Sequence, residues 1–203
     1  MNNFNIAEAY ILENDVVKLS PMVQYDYDNL LPFALHEPDL WEYSLFSAAG
    51  REGLTNYIEK ALAARLAGIE YPFTVFDKRT QEFAGSTRFY DIQSANKTLQ
   101  LGYTWYGKKF QGTGLNKNCK LLLLTFAFEN LQMERVEFRA DNRNTKSIAA
   151  MKSIGCVEEG VLRSHAVTPN GRRRDSIILS IVKQEWEVGV KEKLLKKIIH
   201  PNK

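Results

Sequence analysis

The stretch "TLQLGYTWYGKKFQGTGLNKNCKLLLLTFAF", Thr98 to Phe128, changes its periodicity once, and the place where it changes decides the fold. Up to Tyr106, apolar residues alternate. Leu99, Leu101, Tyr103 and Trp105 fall on one side and Gln100, Gly102 and Thr104 on the other, the period of two of a strand with one buried face. From about Asn116 to Leu131 the run is long and apolar enough for a helix. Gly112 and Gly114 stand between them. A helix that begins straight after a glycine turn presents unpaired backbone N–H groups and the positive end of its dipole, which together make an anion site. Lys108, Lys109, Lys117 and Lys120 crowd the same place; lysines at a helix start oppose its dipole, so they fit best with an anion between them. A bare GxG is more often only a tight turn. Two nucleotide loops are excluded: no GK[ST] ending follows, and Lys117 stands where a third glycine of GxGxxG belongs.

Upstream, "YILENDVVKL" reads as two short strands around a turn at Glu13 to Asp15, followed by a helix over about Tyr25 to Ala34. Leu54, Ile58, Leu62 and Leu66 share one face of a second helix that stops at Gly68. "YPFTVF" from Tyr71 and "EFAGSTRFYDI" from Glu82 precede the strand at Thr98, with turn chemistry in "DKRT" and "SANK", so the three form an antiparallel meander. Downstream come a strand in "ERVEFRA", a helix over Thr145 to Ile154 with Asn144 as N-cap and Gly155 as stop, and two strands around "PNG". The fold class is mixed α/β (α+β): a mostly antiparallel central sheet of about seven strands flanked by helices. No repeat or linker divides residues 1–203, which are read as one domain.

Gln111, Gly112, Thr113, Gly114, Leu115 and Asn116 resemble the Q/R-x-x-G-x-G/A acetyl-CoA loop of the GNAT acetyltransferase superfamily, with Asn116 where Gly or Ala is usual. "RADNRNTKSIAAMKSIGCVEEGVLR" and "PNGRRRDSIILS" extend the resemblance to the RimJ/RimL-like branch of ribosomal-protein N-terminal acetyltransferases, with a cofactor-binding core over about 99–182. The resemblance implies a GNAT fold and acetyl-CoA as acetyl donor. Gln111 to Asn116 would hold the pyrophosphate, and the backbone from Gly102 to Tyr106, with Tyr103 and Trp105, the pantetheine arm. Asn144 would contact that arm, and Ser147 would protonate the departing thiolate. Asn144 is equally a ready helix cap, and Ser147 an ordinary first-turn residue. The glutamate that related enzymes carry on the preceding strand is replaced by Gln100, so the general base is unassigned; Tyr103, His165 and Asp91 are the candidates, and no spacing rule selects one.

The implied reaction is attack by a neutral amine on the thioester in a ternary complex, the amine being a peptide or protein N-terminus or a small molecule. A peptide α-amine, with a pKa of about 7.7 to 8.0, is neutral more often at pH 7 than lysine, which favours it where the base is missing. The rival reading is a non-catalytic acyl-CoA-binding or ribosome-associated RNA-binding module on the same fold. A net charge of +3 and a pI near 8.7 do not suit a protein whose main task is coating nucleic acid, and no DNA partner is expected. Cys119 and Cys156 form no CxxC and no cluster with histidine, which predicts small core residues, a reducing cytoplasmic setting and no metal. "LLLLTFAF" is far shorter than the ~20 residues of a membrane span. Arg172 to Arg174 are read as a solvated turn, and the basic tail over about 187–203 as amphipathic, docking on the domain, a second subunit or a membrane surface. Monomer and homodimer stay open.

Overall fold

The computed structural model describes residues 4–200. In chain order the elements are β1 (Leu12–Glu13), β2 (Val17–Pro21), α1 (Asp26–His36), α2 (Gly50–Leu66), β3 (Tyr71–Asp77), β4 (Glu82–Gln93), β5 (Thr98–Tyr106) and α3 (Leu115–Thr125). Then follow β6 (Arg135–Asp141), α4 (Thr145–Ser153), β7 (Val157–Val167), β8 (Arg173–Val182) and, after a short helical linker, α5 (Lys191–Ile199). Among the described residues eight strands make one sheet in the order β1-β2-β3-β4-β5-β6-β8-β7, one more than expected. Within it β5 and β6, the pair that the α3 crossover joins, run parallel; the other neighbours are antiparallel, including the meander β3–β4–β5 and the hairpin β7–β8.

The alternation expected along β5 holds only to Leu101. Leu101 pairs with Phe89 and Trp105 with Ser86, three residues apart on β4, so Leu101 and Trp105 lie on opposite faces of the sheet. A β-bulge over Gly102 to Thr104 makes the change, with Tyr103 in the left-handed region at φ 49°. Trp105 therefore packs with Phe33, Trp41 and Tyr57 under α1 and α2, while Thr104 and Tyr106 turn to α3.

A second expectation fails in α2. Leu54, Tyr57, Ile58 and Ala61 are buried, but Leu66 is 91% exposed. Residues four apart drift by about 40° around a helix, so after three steps the stripe has turned about 120° away from the core. The tail docks on the domain through its helices as far as Ile199, residues 201–203 lying outside the described residues. Trp186 is buried, stacks on Phe128 at 5.5 Å and donates its indole N–H to Glu129, and Leu194 of α5 is buried against α3. Leu194→Ala should therefore cost about 2–5 kcal/mol in urea denaturation. Ile199→Ala, at a side chain 67% exposed, should stay within about 0.5 kcal/mol of wild type.

Candidate active site

The β5–β6 ladder is short. Thr98, Leu99 and Gln100 pair with Arg135, Val136 and Glu137, and beyond that the two strands share no further pair. The gap so opened leads along β5 to the glycine junction. There Gly112 and Gly114 adopt φ 76° and 85°, Gly114 caps α3, and a Cβ at either position meets nothing within 4 Å. The backbone N–H groups of Gly112, Thr113, Gly114, Asn116 and Lys117 have no partner among the described residues. Side chains tie the loop down instead. The Gln111 amide donates to the Tyr106 carbonyl at 3.0 Å, the Thr113 hydroxyl to Phe110 at 2.8 Å, and the buried Tyr106 hydroxyl to Asn116 Oδ1 at 3.2 Å. Arg79, absent from the sequence-based site, donates to the Thr113 carbonyl at 3.0 Å while Asp77 grips its other edge.

The lysines do not gather as expected. Lys108 and Lys109 turn to Asp39 and Glu82, because each finds a carboxylate on a neighbouring element. Lys120 is buried instead. It bridges the gap: Nζ lies 3.0 Å from Thr104 Oγ1 on β5 and 5.7 Å from the Phe138 ring centre on β6. That hydroxyl is its one acceptor among the described residues, leaving N–H donors unspent, and burial pushes the ammonium down to about 8. Unpaired N–H groups, room where a side chain would be, an open strand edge and a buried cation with spare donors fit a long, polar, anionic ligand lying along β5.

At the start of α4, Asn144 Oδ1 accepts from the Ser147 N–H at 3.0 Å, so the cap forms and leaves the Asn144 amide N–H₂ unspent. The candidate bases scatter. His165 lies on the outer edge strand β7 with Nδ1 against Ser176, and burial and three arginines lower its pKa. Asp91 accepts from Gln93 and Gln100, both at 2.7 Å. Gln100 is buried, and its Oε1 has no partner among the described residues. Tyr103 borders a cavity under α2, but burial and the nearby Glu70 carboxylate raise its pKa, so the phenol keeps its proton at neutral pH. Nor is the arginine turn wholly solvated. Arg172 pairs with the buried Asp141, and Arg174 is itself buried and donates to the Tyr43 carbonyl at 3.2 Å. Among the described residues no cluster suits a metal ion, and no helix is long and apolar enough to cross a membrane.

The family model described as "Acetyltransferase (GNAT) domain" matches residues 17–157. A curated relative named "Putative ribosomal N-acetyltransferase YdaF", from Bacillus subtilis (strain 168), is 35% identical over 103 residues, 51% of this chain and 55% of that protein. The chain thus spans only about half the length of this relative. Among solved structures, a GCN5-related N-acetyltransferase from Brucella melitensis superposes with a TM-score of 0.86 at 25% identity, covering 94% of this chain and 86% of that one. Mycobacterium smegmatis RimJ in complex with CoA-disulfide gives 0.75 at 22% identity, covering 92% of each, a likeness of fold.

Lys120 sets a pH dependence. The folded protein holds this proton less tightly than the unfolded chain, so the buried ammonium costs stability at every pH below about 8. The cost fades as pH rises from about 8 toward 10.5, where the unfolded chain loses the proton as well. Without ligand, Lys120→Met should be more stable than wild type by about 1–3 kcal/mol at pH 7. The difference should shrink between those two pH values, which thermal unfolding across pH will show.

Proposed function

The chain belongs to the GNAT acetyltransferase family, and we propose that it transfers the acetyl group of acetyl-CoA to an amine, the α-amine of a peptide, a protein or a small molecule. The observation that carries this reading is the strand edge of β5, left unpaired beyond Gln100 and leading directly to the unpaired N–H groups before α3. An extended pantetheine arm suits the one and a pyrophosphate the other. The name of the Bacillus subtilis relative and the CoA-disulfide of the Mycobacterium smegmatis neighbour support the donor and the acceptor class.

In this reading Gly112, Thr113, Gly114, Leu115 and Asn116 bind the pyrophosphate through backbone N–H groups, with Gln111 and Arg79 holding the loop in shape. The splayed backbone from Gly102 through Tyr103 and Trp105 to Tyr106 orients the arm, and Asn144 and Lys120 supply side-chain donors along it. Bound acetyl-CoA supplies the activated acyl carbonyl. A backbone N–H of the splayed strand would stabilise the negative charge that develops on the carbonyl oxygen; as the C–S bond breaks, the Ser147 hydroxyl would give a proton to the departing sulfur and be reprotonated, through solvent, by the proton that the new amide nitrogen sheds. The amine attacks in its neutral form; an α-amine, with a pKa of about 7.7 to 8.0, needs little help to reach it near neutral pH.

Gly114→Val tests the cradle. A branched side chain there fills the space kept open for phosphate and strains a left-handed backbone. Acetyl-CoA should raise the melting temperature of wild type by several degrees at about one hundred times the dissociation constant, and ATP should not; the folded variant should lose the shift. A full shift in folded Gly114→Val removes the cradle from the loop. Ser147→Ala should lower kcat about tenfold or more with the acetyl-CoA shift unchanged, and an unaltered kcat returns Ser147 to a helix-start role.

A further inference from the structure

On the α1–α2 face of β5, next to the bulge, lies a cavity of about 120 Å³ bounded by Phe46, Tyr57, Lys60, Glu70, Arg88 and Tyr103. Tyr103 is three residues beyond the last β5–β6 pair, so the cavity opens beside the gap, across the sheet from Lys120. No spacing along the chain marks five of these six residues as a group, since they come from a loop, α2, the turn before β3, and β4.

Arg88 is the unusual member. It is 4% exposed, lies between the rings of Tyr57 and Tyr103 at 4.8 and 4.2 Å, and spends Nη1 on Glu70 at 2.6 Å. Its Nε and Nη2 have no partner among the described residues. Those two nitrogens share one edge of the guanidinium, the edge whose spacing matches the two oxygens of a carboxylate. A buried cation with three of its five N–H donors on unpartnered nitrogens is costly in an empty site and is relieved by an anion.

The second cation of the lining points to the same chemistry. Lys60 Nζ sits 5.1 Å from the Phe46 ring centre and has no carboxylate within 4.0 Å among the described residues. Against these two cations stands one carboxylate, Glu70, already held by Arg88. The lining therefore has one positive charge in surplus, which disfavours a cationic ligand. The volume admits a carboxylate with a short stem; a cavity of about 150 Å³ holds benzene.

Resting on the acetyl-transfer reading above, we propose that this cavity is the recognition pocket for the acceptor and that the acceptor carries a carboxylate, read by Arg88 and Lys60, on a short stem from the amine. Two sources have that chemistry: an acidic first side chain of a peptide, and the α-carboxylate of a free amino acid.

The test measures thiol release from acetyl-CoA by the full chain with matched acceptors. One arm compares C-terminally amidated peptides beginning with Asp or with Asn; the other compares glycine with glycinamide. In one arm the carboxylate acceptor should have a kcat/KM at least about tenfold above its amide, and the arm that shows the preference identifies the source. Lys60→Met, at an exposed position that leaves the fold intact, should reduce the preference about threefold or more, and Arg88→Gln should abolish it. In both variants the thermal shift with CoA should match wild type, which separates lost recognition from lost folding. If an amide or a cationic acceptor is used as well as the carboxylate in both arms, this pocket does not read an anion and the proposal falls while acetyl transfer stands. If wild type shows no shift with CoA and acetylates nothing, both fall together.

Discussion

After Gln100 and Glu137 the parallel strands β5 and β6 stop pairing, and the arrangement of the whole centre depends on that early end. A strand edge inside a sheet exposes N–H and C=O groups that have to find partners, and proteins usually cover such edges or use them. Here the edge stays free over the segment that also carries the bulge. The extra residue at Tyr103 rotates the end of β5, so that Trp105 anchors under α1 and α2 while Thr104 and Tyr106 meet α3. The gap is thus held open from both faces, by an aromatic cluster on one side and by Lys120 with its hydroxyl partner on the other.

Two buried cations flank this gap, and neither is explained by stability. A buried charge is tolerated when it is paired and its donors are used. Among the described residues Lys120 has one hydroxyl partner and no carboxylate, and Arg88 has a carboxylate on one nitrogen and nothing on two others. Replacing Lys120 with an apolar residue of similar volume would make a better core, whereas replacing Arg88 alone would leave the Glu70 carboxylate without its partner. Their unspent donors lie on opposite faces of β5, one set on the α3 side and the other beside the α2 cavity, which matches the proposed centre that takes two ligands from two sides.

Much of this was legible in the sequence where local chemistry decides. The glycines at 112 and 114, the Asn144 cap with its stop at Gly155, and the turn after Pro169 each impose a backbone conformation on their own. The β5 pattern was legible only as far as Leu101, because a bulge is set by pairing across strands and leaves no period to read. The lysines before α3 and the arginines after the last turn were misread for a common reason: whether a charge is solvated depends on carboxylates far away in sequence, such as Asp39 for Lys108 and Asp141 for Arg172. Arg88 left one faint sign, a lone charge within the otherwise uncharged "FAGSTRFY" run of β4. Its partner Glu70 and its aromatic neighbours are contributed by other elements, so no spacing announces them.

The same geometry bears on how the acyl group travels. A relay through the enzyme needs a nucleophile in reach of both ligands, and the described thiols are poor ones. Cys119 and Cys156 are both buried, and burial pushes each thiol up to about 12, so almost no thiolate forms at neutral pH. Cys119 also belongs to α3, on the side of the sheet away from the α2 cavity. If acetyl-CoA lies along the loop and the acceptor in the cavity, as proposed, the unpaired stretch of β5 between them suits direct attack across the gap with both ligands bound, and the β5 backbone would be the common wall against which they are aligned.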